Sequence, residues 1–195
     1  MQPVIGLYGG SFDPPHRGHV ALAQRAKEEL RLERLIVLVS VDPGHKQVET
    51  PAELRLELAV AAFPGDEVLL DEHARTVETL HAHPQWIDPV FVIGADQFCD
   101  FLSWQEPQEV LRLTRLAVAT RPGFPQERLD AVLAQLDAPE RVRFFELEPI
   151  PVSSRDLRAR LAAGEDVSAE LPAAVAELID AQGLYGRSPG YTGAA

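Results

Sequence analysis

Val4-Ile5-Gly6-Leu7-Tyr8-Gly9-Gly10-Ser11-Phe12-Asp13-Pro14-Pro15-His16-Arg17-Gly18-His19 runs from a short apolar stretch, through a bend rich in glycine and proline, into the start of a long helical pattern. Val4–Tyr8 reads as a strand covered on both faces, and Gly18–Leu30 reads as a helix. A strand that passes through a glycine loop into a helix is the opening unit of an open parallel sheet, whose ligands bind outside the carboxyl ends of its strands. Gly9 and Gly10 let backbone N–H groups approach an anion closely. The helix start adds unpaired N–H donors and the positive end of a dipole. His16 and His19, three apart, share one helix face once the turn has begun. Taken alone, the glycine pair is equally a plain connection and the histidines are equally caps. Asp13 either fixes the turn before Pro14 or reaches a hydrated cation. Two prolines, three glycines and two histidines within the eleven residues Gly9–His19 point to a binding loop.

Working outward, further apolar runs lie at Leu35–Val39, Glu67–Leu70, Val90–Ile93, Arg115–Ala119 and Arg143–Leu147. Helical patterns separate or follow them at Pro51–Phe63, Thr76–His83, Glu106–Arg112 and Pro125–Leu136, and then at Ser154–Ala162 and Pro172–Gln182. This rhythm predicts an α/β chain with a Rossmann-like open parallel sheet and helices on both faces. Residues 1–185 read as a single domain, and 186–195 as a flexible tail rich in Gly, Ser and Pro.

The chain has 195 residues, 46% hydrophobic and 25% charged, the balance of a globular protein that buries its own core. Cys99 is the one cysteine, which excludes an intramolecular disulfide and a zinc site built on cysteines. No targeting segment or membrane span is visible, so the expected location is the cytoplasm. The net charge of −12 argues against nucleic acid or an anionic membrane as a partner. It should repel nucleotides as well, unless a local cluster of donors overcomes the global field. A homo-oligomer stays open. Familiar phosphate and nucleophile motifs fail: there is no G-x-x-x-x-G-K-[ST], no G-x-G-x-x-G and no G-x-S-x-G at this loop.

Near the far end stands Pro151-Val152-Ser153-Ser154-Arg155-Asp156-Leu157-Arg158. Ser153 or Ser154 suits an N-cap, with Asp156 favouring the helix start. Arg158 falls one turn inside, facing back toward that end. Hydroxyls, N–H donors and a guanidinium converging there suit a phosphate. By itself the window reads more readily as a capped helix with a solvated arginine. In mid-chain, Asp96 follows Val90–Gly94, either as a carboxylate that accepts ribose hydroxyls or as the N-cap of a short helix. Trp104 suits stacking on a flat ring, whereas Trp86 reads as core.

His16-Arg17-Gly18-His19 resembles the (H/T)xGH signature of the nucleotidyltransferase superfamily. Val152–Arg158 is similar to its second signature, [I/V]-S-S-T-x-[I/L]-R, with Arg155 in place of threonine. Gly94-Ala95-Asp96, Ser103-Trp104 and Ala119-Thr120-Arg121-Pro122-Gly123 look like the bacterial nicotinate-nucleotide adenylyltransferase family, and the resemblance runs from about Val4 to Tyr185.

The resemblance implies that ATP lies across the first junction, bound by Gly9, Gly10, Ser11, Phe12, His16, His19, Gly94, Asp96, Ser153, Ser154 and Arg158. His16, His19, Lys46 and Arg158 would be the catalytic donors. His45, Lys46, Arg75, Thr76, Trp104 and Arg121 would bind a pyridine mononucleotide, with Trp104 stacked on the ring. The implied reaction converts nicotinate mononucleotide and ATP to deamido-NAD and pyrophosphate, with Mg²⁺ carried by ATP and no metal held by the protein. Two positions depart from the family pattern: Gly44 replaces a proline before His45-Lys46, and Arg75 replaces the usual tyrosine before Thr76. The alternatives are an adenylyltransferase for nicotinamide mononucleotide or another phosphate acceptor, a hydrolase with a His-bound metal, and a non-catalytic nucleotide sensor.

Overall fold

The computed structural model describes residues 4–44, 48, 50–148 and 150–187. Six parallel strands form one sheet: β1 (Ile5–Gly10), β2 (Arg34–Ser40), β3 (Glu67–Asp71), β4 (Val90–Gly94), β5 (Arg115–Thr120) and β6 (Val142–Glu146). Their order is β3-β2-β1-β4-β5-β6, the doubly wound order with its reversal between β1 and β4. The runs expected from sequence fall on these strands, with ends shifted by a residue or two.

The helices are α1 (Arg17–Leu30), α2 (Ala52–Ala62), α3 (Thr76–Ala82), α4 (Ala95–Cys99), α5 (Pro107–Leu113), α6 (Gln126–Leu133), α7 (Ser154–Ala162) and α8 (Ala173–Gln182). Helix α4, a single turn, is too short for periodicity to mark. Two apolar layers sandwich the sheet. Ala23 and Ala26 of α1, Leu58 and Ala59 of α2, Leu157 and Leu161 of α7 and Val175 and Ile179 of α8 cover one face. Val77 and Leu80 of α3, Phe98 of α4, Val110 and Leu111 of α5 and Leu129 and Val132 of α6 cover the other. Trp86 belongs to this second layer, buried against the ring of His83. Strands buried on both sides need apolar residues at nearly every position, which is why Leu35–Val39 and Val90–Ile93 carry no polar alternation. No helix among the described residues is long and apolar enough to cross a membrane.

Two ionisable side chains, Arg55 and Asp13, lie wholly inside among the described residues. Arg55 is 1% exposed and occupies the core-facing row of α2 with Leu58, Ala59 and Ala62. Its Nε donates to the Thr50 carbonyl at 3.0 Å, and Nη1 donates to Ser11 and Ser40 at 2.8 and 2.7 Å. Nη2 donates to Val41 at 3.2 Å. Three chain segments that meet at the carboxyl end of the sheet are thereby tied to one guanidinium. Burial disfavours its charge, and the nearby Asp13 carboxylate opposes that effect.

Replacing Arg55 with leucine leaves these carbonyls without their donor at a cost of about 1–3 kcal/mol for each that water cannot reach. Arg55→Leu is therefore expected to lower the unfolding free energy in urea by about 3 kcal/mol or more. A loss below about 1 kcal/mol would show that the ties contribute little.

Candidate active site

The loop after β1 turns sharply at Phe12, whose φ of 48° is left-handed. The turn drives the Phe12 ring inward, where it is 1% exposed and meets Tyr8, Phe63 and His19 edge-on at 5.5, 5.6 and 5.1 Å. A side chain at Gly10 would meet that ring at 2.9 Å, so the strand can end here only with a glycine. His16 is the N-cap of α1, and its ring stacks on His19 at 3.7 Å with an interplanar angle of 21°. The His16 backbone N–H donates to His19 Nδ1 at 3.2 Å. That bond makes Nδ1 an acceptor and leaves Nε2 to carry the ring proton of neutral His19. His16 is only 7% exposed, and its Nδ1 is buried without a hydrogen-bond partner among the described residues. Burial holds its pKa down at about 4, against a weaker opposing backbone hydrogen bond, so the ring is neutral at pH 7.

The distal window closes on this loop. Ser153 is the N-cap of α7, its Oγ accepting from the Asp156 N–H at 3.1 Å. Ser154 starts the helix and donates from Oγ to the Pro14 carbonyl at 2.8 Å, joining positions 140 apart. Arg158 Nη1 donates to the Asp13 carbonyl at 2.7 Å and lies 3.8 Å from the Asp13 carboxylate. A side chain at Gly18 would meet the His16 ring at 3.1 Å and Val152 at 3.3 Å. Glycine in the first window thus admits both the imidazole and the valine of the second. The Ser154–Pro14 contact brings the start of α7 beside the loop that leads into α1, so the positive ends of both dipoles lie near one spot and favour an anion there.

Asp13 does not face that spot. It is 1% exposed, and Oδ1 accepts from the Tyr185 hydroxyl at 2.7 Å. The fixing role open in the sequence is the one the structure displays, and a hydrated cation would have to displace these partners. Gly94 ends β4 beside β1 and is the N-cap of α4, its N–H donating to Gln97 Oε1. Asp96 is therefore not the cap; it sits exposed in the first turn of α4. Trp104 is half-buried, edge-on to Phe91 and Phe101 at 6.2 and 5.3 Å. The Phe91 ring lies 3.2 Å from the side-chain position of Gly9, so Trp104 backs onto the same junction through one aromatic ring.

Thr76 opens α3, capped by Arg75, and the Arg75 guanidinium reaches within 3.7 Å of the side-chain position of Gly44. Arg121 is exposed over the Phe124 ring at 5.7 Å, beside a cavity of about 340 Å³ also lined by Thr120, Leu129 and Glu146. That cavity stands at the end of β5, two strand intervals from β1. His45 and Lys46 lie outside the described residues, as does the tail from residue 188 onward. Among the described residues no three His, Cys, Asp or Glu side chains are grouped to hold a metal ion. The stacked imidazoles, one of them bonded to a backbone N–H, are not arranged as convergent ligands of a single ion.

The cytidylyltransferase-like family model matches residues 7–160, from β1 through the Ser154–Arg158 turn. The chain belongs to the cytidylyltransferase-like family. A relative from Rubrobacter xylanophilus named "probable nicotinate-nucleotide adenylyltransferase" is 32% identical, covering 93% of this chain and 91% of its own. Relatives of the same name from Bordetella avium and Thermus thermophilus are 37% and 36% identical over 93% of this chain, and 97% and 98% of theirs. Structures of Plasmodium falciparum nicotinic acid mononucleotide adenylyltransferase, complexed with APC and with NaAD, match with a TM-score of 0.73. They cover 96% of this chain and 99% of theirs, and their 17% identity shows the fold alone.

In this cytidylyltransferase-like chain, Arg55 and Tyr185 join the site without having been marked in the sequence, and Phe12, named for the ATP loop, joins it as a buried ring. The one available signal was position: Arg55 recurs with Leu58, Ala59 and Ala62 at core spacing.

The neutral His16 ring gives a pH test. Its folded pKa of about 4 lies below the ordinary 6.5, so on acidification the unfolded chain takes up this proton first. Stability from this group is full above pH 6.5 and falls as pH drops toward 4. Between pH 7.5 and pH 5 the parent chain is expected to lose about 2 kcal/mol more unfolding free energy than His16→Asn. Equal losses in urea unfolding at the two pH values would contradict a buried neutral imidazole.

Proposed function

We propose that this chain transfers the adenylyl group of ATP to nicotinate mononucleotide, forming deamido-NAD and pyrophosphate, with residues 1–185 acting as one catalytic domain in the cytoplasm. The observation that carries the proposal is the Ser154–Pro14 contact, which brings the second window against the first. Relatives that share a third or more of their residues over nearly the whole chain carry the name of this activity.

The mechanism follows from the donor set. The nucleophile is a phosphate oxygen of the mononucleotide; it bonds to the α-phosphorus of ATP while the bond from that phosphorus to the pyrophosphate oxygen breaks. With a second pKa near 6, the attacking phosphate is already ionised at neutral pH and needs no general base. Catalysis then rests on positioning and on donors aimed at the charge that develops around the α-phosphate. His19 supplies Nε2–H in a tautomer fixed by the His16 N–H, and an incoming phosphate group gives the buried His16 Nδ1 its missing partner. Arg158, Ser153, Ser154 and the N–H groups of α7 grip the outgoing phosphates, with Gly9 to Phe12 beneath them. Lys46 adds a further cation. Mg²⁺ would arrive with ATP and would neutralise part of its phosphate charge.

On the acceptor side, Trp104 stacks on the pyridine ring and Thr76 and Arg75 take its carboxylate, with His45 and Lys46 at its phosphate. Gly94 and Asp96 hold the ATP ribose, and Arg121 binds from the β5 loop.

Pyrophosphate release with MgATP, comparing nicotinate mononucleotide, nicotinamide mononucleotide and phosphopantetheine, should show the highest kcat/KM with the first. Comparable turnover with phosphopantetheine would refute the acceptor assignment. His19→Ala should lower kcat by about a hundredfold, the scale of one lost oxyanion donor. Trp104→Ala should raise KM for the mononucleotide and leave KM for ATP unchanged; an unaltered acceptor KM would rule out stacking.

A further inference from the structure

The geometry points to Tyr185, in the turn that follows the last helix, as a positioning residue for the triphosphate site, acting through the buried Asp13 carboxylate. The inference rests on the adenylyl-transfer reading above. Helix α8 stops at Gly183, and the chain bends through Leu184–Gly186 with Tyr185 itself at a left-handed φ of 55°. A tyrosine pays a steric penalty for that backbone, so the turn is held by what its side chain does inside. The ring is 9% exposed and packs in the layer that contains Tyr8, Phe12 and Leu157. Gly186 brings the turn so close to α7 that a side chain there would meet the Ala162 backbone at 3.3 Å.

The phenol ends a relay of polar groups. The Thr50 hydroxyl bonds to the Tyr185 oxygen, and the Tyr185 hydroxyl donates to Asp13 Oδ1 at 2.7 Å across 172 positions. Burial pushes the phenol pKa upward, so its proton stays on and the group remains a donor. Asp13 also feels Arg158, at 3.8 Å from Oδ2, and Arg55. Its carbonyl takes the Arg158 Nη1–H, and the next carbonyl, Pro14, takes the Ser154 hydroxyl. The Asp13–Pro14 segment is therefore the anvil on which the second window rests. A carboxylate so near a triphosphate site would repel the ligand if it swung outward and would draw Arg158 toward itself. Tyr185 holds it inward and keeps its main chain in register with Ser154 and Arg158. The end of the described chain thus serves ATP, not the acceptor.

The test is a double-mutant cycle of Tyr185→Phe and Asp13→Asn, read by kcat, by KM for each substrate and by calorimetric Kd for MgATP. Tyr185→Phe keeps the ring and removes only the hydroxyl. It is expected to raise KM and Kd for MgATP by about fivefold or more while leaving KM for the mononucleotide within about twofold. In the Asp13→Asn background the same substitution should change MgATP affinity by less than about twofold, because the negative charge that the phenol holds inward is gone. An unchanged MgATP affinity, an equal rise in both KM values, or the same loss in both backgrounds overturns the inference. Should Asp13→Asn not fold, the split between the two KM values in Tyr185→Phe decides alone. A parent chain that binds MgATP but releases no pyrophosphate with any acceptor counts against the proposed reaction; the Kd comparison still decides the role of Tyr185.

Discussion

The hydrogen bond from Ser154 to the Pro14 carbonyl, with Arg158 on the adjacent Asp13 carbonyl, is the constraint on which the carboxyl end of this sheet depends. Without it, the loop after β1 and the start of α7 are separate helix N-termini, each a weak and solvated attractor of anions. Held together, they add two positive dipole ends and a guanidinium at one place, where His16 and His19 already stack. The convergence matters more because the chain carries a net charge of −12. A nucleotide approaching from solution meets a repulsive average field, so its binding rests on short-range donors whose geometry is fixed beforehand.

Fixing that geometry falls to buried polar groups rather than to surface ion pairs. Arg55 collects carbonyls from Ser11, Ser40, Val41 and Thr50, and Asp13 takes the Tyr185 phenol. Buried groups of this kind contribute little when fully satisfied and destabilise strongly when one partner is removed. They favour one arrangement of the loops over its neighbours, which suits a site where catalysis is positioning. Phe12 does the same by packing, its ring wedged beneath His19.

The four inner strands were legible because parallel strands buried on both faces leave continuous apolar runs, and the shorter segments expected for the edge strands β3 and β6 fell on strands as well. The two windows were legible because unusual residue types cluster in them, and the structure brings His16, Gly18, Val152, Ser154 and Arg158 together. Other features were opaque for physical reasons. Arg55 looks solvated by residue type, and only its helical position betrays it. Tyr185 borders a stretch rich in Gly, Ser and Pro, and its bond to Asp13 spans 172 positions, beyond any local pattern. Asp96 has the chemistry of a cap, yet Gly94 takes that place because the strand ends one residue before the helix begins. Arg121 shares a motif with the acceptor side and stands over Phe124 at the end of β5, a placement set by strand order that no local window encodes.

A crystal structure with a non-hydrolysable ATP analogue tests the shared pocket most directly. The phosphates should lie within hydrogen-bond distance of His19 Nε2 on one side and of the Ser154–Arg158 turn on the other. A triphosphate seated elsewhere, such as the cavity beside Arg121 and Glu146, with imidazoles and turn untouched, would contradict it.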